Sequence, residues 1–255
     1  MLRRIVPAVA AVALTLAACS SGPPPIADPK EIVLQGLQAT SELGSAHVLL
    51  VVDGTVSIPD MGGEMSLSGT RLEGGFDLEN RQGRLEFTIP PIMGLTGEVI
   101  QIGGDTYTRT SLTGELWSKS TVSEDVAARA MDPAAQLDEV RAFLEREGVE
   151  LEKLDDTDCG DRTCYAVRLT VPAGELTGAA GGAGLNVDQI AGETLVVDVF
   201  FDREELWFAG AETTLSAESL GEVTLTLTLS EFNEPVQVEA PPADEVTEEA
   251  PRLPF

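Results

Sequence analysis

The run Thr224-Leu-Thr-Leu-Thr-Leu229 sends its leucines to one side and its threonines to the other. Alternation this strict fits an extended strand that is dry on one face and wet on the other, and little else. The same period recurs at Val48, Leu50 and Val52 and at Leu85, Phe87 and Ile89, and Val99 leads into a further apolar pair at Ile100 and Ile102. Asp53-Gly54, Gly62-Gly63, Gly74-Gly75 and Gly103-Gly104 punctuate these runs as predicted turns. Short strands parted by glycine pairs predict an antiparallel meander from Ala46 to Lys119. Strands are predicted again over 149–154, 165–171, 194–202, 205–215 and 222–232.

Two segments change period. Asp28-Pro-Lys-Glu31 supplies an N-cap, a proline at the first helical position and an acid three residues after the cap. Ile32, Val33, Leu37, Ala39 and Leu43 then share an arc of about 160°, and the helix is predicted to stop near Gly44. A second helical stretch starts at the Ser123 cap and restarts at Asp132-Pro133. It carries Leu137, Val140 and Leu144 with Phe143 beside them, and Gly148 ends it. Helices set among antiparallel strands predict an α+β domain. Residues 178–184 are too rich in glycine for a strand and read as a linker or a moving lid. The acidic, proline-rich stretch Ala240–Phe255 reads as a mobile tail.

The chain's beginning bears on compartment. Arg3 and Arg4 precede an apolar run from Ile5 to Leu16 that is too short to span a bilayer. The run ends in Leu16-Ala-Ala-Cys19, which matches a bacterial lipobox at every position. The competing reading is an ordinary secretory signal with a chance cysteine. On the lipobox reading, 1–18 is a signal peptide and Cys19 carries diacylglycerol. Residues 19–28, with Pro23-Pro24-Pro25, are then a tether to a domain spanning 29–239. The protein is expected on the outer face of the bacterial plasma membrane, or at an outer membrane in a Gram-negative host. Of three cysteines this leaves Cys159 and Cys164, expected to be oxidised to a disulfide outside the cytoplasm. A zinc half-site competes, but it would find no third cysteine and only His47.

Composition narrows the chemistry. With 43 Asp and Glu against 16 Lys and Arg, the net charge of −27 repels phosphate backbones and anionic headgroups, so nucleic acid is not an expected partner. Aromatic residues are 5% of the chain, so the interior must be built from Val, Leu, Ile and Ala. Asp155-Asp-Thr-Asp158 suggests calcium, but counting from Asp156 puts Asp161 where an EF-hand needs glycine and Val167 where it needs an acid. A solvated turn is the better reading. The glycines of 178–184 lack the strand and helix that flank a phosphate loop. His47 reads as a surface or edge residue, and pairs such as Glu204-Glu205 diverge or stay solvated. No nucleophile meets a base, so neither catalysis nor a metal or cofactor is expected.

Several segments carry a family resemblance. Asp105-Thr-Tyr107 followed by Glu115-Leu-Trp117 resembles a strand pair bearing a Tyr and then a Trp. Val197-Asp-Val-Phe-Phe-Asp202 resembles a strand leading into a short acidic bend. Leu227-Thr-Leu-Ser-Glu-Phe-Asn-Glu-Pro-Val236, with its Pro241-Pro242 exit, is similar to a closing strand with an acid, an aromatic and a Pro-Val pair. Over roughly Lys30–Pro242 the chain thus resembles the LppX/LprG group of actinobacterial lipoproteins, with a LolA/LolB-like fold. The resemblance implies a strongly curved antiparallel half-barrel, helices across its concave side, and a hydrophobic cavity between them. It also implies binding of lipid or glycolipid acyl chains for transport to the cell envelope. The wall expected on that basis is Val48, Leu50, Val52, Leu85, Phe87, Ile89, Leu137, Val140, Leu225, Leu227 and Leu229. The acidic tail and the 178–184 insertion depart from the group's pattern. Alternation alone leaves two alternatives open. One is a structural or sensory surface lipoprotein with a packed core and no lipid. The other is an accessory subunit that offers its acidic face to a basic envelope partner.

Overall fold

The computed structural model describes residues 25–58, 63–91, 94–112, 114–121, 133–172, 194–217 and 221–248. The signal-peptide and lipidation assignments, Ser123 and the 178–184 segment lie outside these residues. Helix α1 (Pro29–Ser41) begins at its predicted cap, where Asp28 Oδ1 accepts the backbone N–H of Lys30 at 2.8 Å. Its buried positions are Ile32, Val33 and Gly36. Helix α2 spans Pro133–Leu144.

The strands are β1 (Ser45–Ile58), β2 (Gly63–Ser66), β3 (Thr70–Asp77), β4 (Gln82–Ile89), β5 (Leu95–Ile102), β6 (Asp105–Thr110) and β7 (Trp117–Thr121). After α2 come β8 (Glu150–Lys153), β9 (Thr157–Cys159), β10 (Arg162–Pro172), β11 (Thr194–Asp202), β12 (Phe208–Ala217), β13 (Gly221–Ser230) and β14 (Val246–Thr247). All join one curved, unclosed sheet in the order β14-β7-β6-β5-β4-β3-β1-β13-β12-β11-β10-β8, with β2 on β1 and β9 on β10. Two antiparallel meanders are therefore zipped at their centre by β1 and β13, paired from His47↔Ser230 to Val56↔Gly221.

Two predicted turns lie inside strands. Gly54 sits within β1 at φ +124°, where a Cβ would come within 2.9 Å of the Val223 Cα. Gly74 and Gly75 sit within β3, and a Cβ on Gly74 would come within 2.8 Å of the Leu85 Cα. Both glycines let neighbouring backbones approach closely while their strands run on in unbroken register. Gly103, at φ +60°, does turn the chain between β5 and β6. Strand β12 starts at Phe208 rather than at Glu205. Asp202 Oδ1 holds 203–207 in a turn by accepting the N–H groups of Glu204 and Glu205 at 2.9 and 2.7 Å.

Three further expectations change. His47 lies on β1, an interior strand of the sheet, rather than at an edge; its ring lies 3.9 Å from Glu73. Val246 and Thr247, expected in a mobile tail, pair in parallel with Trp117 and Ser118 and cover the β7 edge. The helices also gather over one end of the sheet, because α1 packs against α2, β8, β10, β11 and β12. The packed core sits there, formed by Ile32, Val33, Leu144, Tyr165, Val167 and Phe201.

Candidate functional site: an apolar face in register

Residues opposite one another in a ladder share a face of the sheet, so the register shows which side chains meet. Across β13 and β1, Leu229, Leu227 and Leu225 stand opposite Val48, Leu50 and Val52. Across β1 and β3, Leu50 stands opposite Leu72 and Val48 opposite Gly74. Leu72 then faces Phe87, Gly74 faces Leu85, and on β5 Leu85 faces Val99 and Ile89 faces Leu95. In the other direction Leu227 stands beside Ala211, which leads through Val199 to the core residue Val167. All nine strand residues expected in a cavity wall thus lie on the face that α1 covers further along. Leu72, Val99 and Leu95 extend this face, whereas Ile100 and Ile102, which the sequence groups with Val99, lie on the other side of β5.

Burial divides the face in two. Under α1 it is dry, with Val167 at 0% and Phe201 at 1% exposure. From β13 to β5 each of those nine residues is only partly buried. Val140 packs from α2 against the core cluster rather than against this open half. The side chain of Leu137 lies outside the described residues. Phe87 lies over Gly97, its cross-strand neighbour, where a Cβ would come 2.7 Å from the ring's Cε1 and closer still to Cζ.

The opposite face is mixed, with charged pairs standing beside Ile100 and Trp117, each 4% exposed. Buried Glu98 accepts from Arg84 Nε at 2.6 Å and from Arg109 at 3.0 Å, and Arg109 also stacks 4.5 Å over Trp117. Arg168 and Asp198 form a two-pronged pair at 2.7 Å, which raises the guanidinium's pKa further. The Asp105 carboxyl is held below the ordinary aspartate range, first by its hydrogen bond from Lys119 and then by that from Thr121. A groove of about 640 Å³ separates the β9–β10 hairpin from β12 and β13, with Phe200, Glu212, Thr226 and Phe232 among its lining. Arg162 closes one end, 5.3 Å from both the Trp207 and Phe232 rings.

The sequence-assigned chemistry resolves into structure. Cys159 and Cys164 are disulfide-bonded with Cα atoms 5.9 Å apart, clamping the hairpin that turns at Gly160. Asp156, once a calcium candidate, is held by Lys153 at 3.0 Å and Arg203 at 2.9 Å. Glu204 and Glu205 are exposed on the turn that Asp202 organises.

No protein-family model and no curated protein sequence matches the chain. Solved structures do. The lipoprotein LppX of Mycobacterium tuberculosis superposes with a TM-score of 0.52 at 17% identity, covering 84% of this chain and all of its own. LprF of Mycobacterium bovis gives 0.51 at 16% identity, covering 85% of this chain and 98% of its own. The fold is that of LppX and LprF. A LolA superfamily protein of Nitrosomonas europaea aligns over 86% of this chain at 13% identity with a TM-score of 0.26. Among the described residues no helix is long and apolar enough to cross a membrane.

Proposed function

We propose that this protein is a diacylglycerol-anchored lipoprotein of the bacterial envelope. In this reading it holds lipid or glycolipid acyl chains, without catalysis, against the open half of the helix-bearing face. One observation carries the proposal: an in-register apolar surface over β13, β1, β3, β4 and β5 that the described residues leave only partly covered. A contiguous apolar face left only partly covered is suited to an apolar partner. Acyl chains laid there gain about 0.8 kcal/mol per buried methylene, so chains of ordinary length bind without a charged headgroup site. The headgroup stays at the solvent edge, so buried acyl chains rather than headgroup charge supply the affinity. The likeness to LppX, itself a lipoprotein, and the Leu16-Ala-Ala-Cys19 motif agree with the anchor, and in this reading the bound lipid is cargo for the cell envelope.

The variant Leu227→Trp tests this reading. An indole there occupies space that a lipid would fill. Native mass spectrometry of protein from its native host should show bound lipid on the wild type and less on the variant, with the melting temperature held. A lipid-free wild type together with a variant destabilised by about 1–3 kcal/mol would instead describe a packed core.

A further inference from the structure

The free part of the tether is shorter than the sequence implies. Residues 19–28 read as a continuous spacer, yet Ile26 is already part of the domain. Its backbone N–H donates to the Tyr165 hydroxyl at 3.1 Å, and its side chain packs against the core cluster. Tyr165 is 2% exposed, so this attachment is to a rigid element. From Cys19 to Ile26 the chain spans at most about 25 Å at full extension.

Building on the Cys19 anchor proposed above, we infer that the β8–β10 edge of the sheet, around Ile26 and Tyr165, is the surface that faces the bilayer. Lys153 and Arg203 border that point, lying 5.3 and 5.2 Å from the Tyr165 ring and sharing Asp156. Lys30 lies on the first turn of α1 and pairs with Glu145 at 3.1 Å. Because carboxylates neutralise these cations locally, headgroup attraction does not set the orientation. The short tether does, and the orientation is therefore insensitive to salt. The β6–β7 end of the sheet lies nine strand positions from β10, roughly 43 Å along its curve. The open apolar half, from β13 to β5, then extends away from the anchoring membrane, towards whatever exchanges lipid with it.

Energy transfer on the full lipidated chain tests the assignment. Cys19 is acylated and the other two cysteines are paired, so a new cysteine takes the only label. Lys30→Cys and Glu115→Cys carry donors in turn, in neutral phosphatidylcholine nanodiscs with a headgroup acceptor. Transfer should be greater from position 30, at low and high salt alike. A Gly-Ser insertion of about twelve residues after Ser21 should shrink the difference, since reach grows with tether length. Equal or reversed efficiencies in a chain whose mass shows the diacylglycerol would overturn the orientation and leave the anchor standing. A mass without lipid on Cys19 would overturn both.

Discussion

Single residues already test the packing. Gly36 faces the Phe201 ring from α1, and a Cβ there would come 2.9 Å from the ring's Cγ, with Phe201 only 1% exposed. Alanine normally favours a helix over glycine by about 1 kcal/mol. Here the overpacking outweighs that gain, and Gly36→Ala should lower stability by about 1–3 kcal/mol in denaturant unfolding. An unchanged or raised midpoint would mean that α1 does not press on β11 as described. On the mixed face, Asp105 titrates below the ordinary aspartate range because Lys119 donates to it. Its folded pKa is depressed, so its contribution is present above the unfolded value and disappears as pH falls through the lowered one. Lys119→Met should move the Asp105 midpoint upward in a carboxyl-carbon titration; an unmoved midpoint would discount the hydrogen bond.

Secondary elements show how far the sequence could be read. The Thr224–Leu229 alternation located β13 and the face its leucines share, because period two has one structural meaning. The Asp28 cap located α1 for the same reason. Glycine is more ambiguous: the residue that permits a tight turn also permits a close strand approach. Gly54 and Gly74 thus read as turns although they lie inside β1 and β3, where neighbouring backbones come close. Strand β14 was illegible because two residues in an acidic, proline-rich stretch carry no period. Deleting 243–255 should speed hydrogen exchange of the β7 amides, which lose the cover of Val246 and Thr247. Unchanged protection would deny β14 that role. The β9–β10 hairpin closes only a short loop, so replacing both Cys159 and Cys164 by alanine should cost about 1–3 kcal/mol and leave the fold intact. Loss of folding would show that the hairpin organises more than its own turn.

Across the whole molecule, the period-two pattern put the expected residues of β1, β4 and β13 on one face, but it could not show how much of that face is covered. That depends on α1 and α2 gathering over β8–β12, a tertiary arrangement that no local period encodes. The outcome is one face with a dry end and an open apolar end, on a domain whose N-terminal lead-in is pinned at Ile26. If Cys19 bears the anchor, Cys19→Ala should leave the membrane fraction and appear as soluble or unprocessed protein, because stable attachment takes more than one acyl chain. A processed, membrane-bound variant would contradict the lipobox. The central claim, that the open end holds acyl chains, is tested most directly by photo-crosslinking a diacyl lipid with a diazirine in its chain, followed by peptide mapping. Adducts are expected within 48–52, 85–89 and 225–229. Labelling absent from those segments, or confined to the opposite-face groove at 157–162, would contradict it.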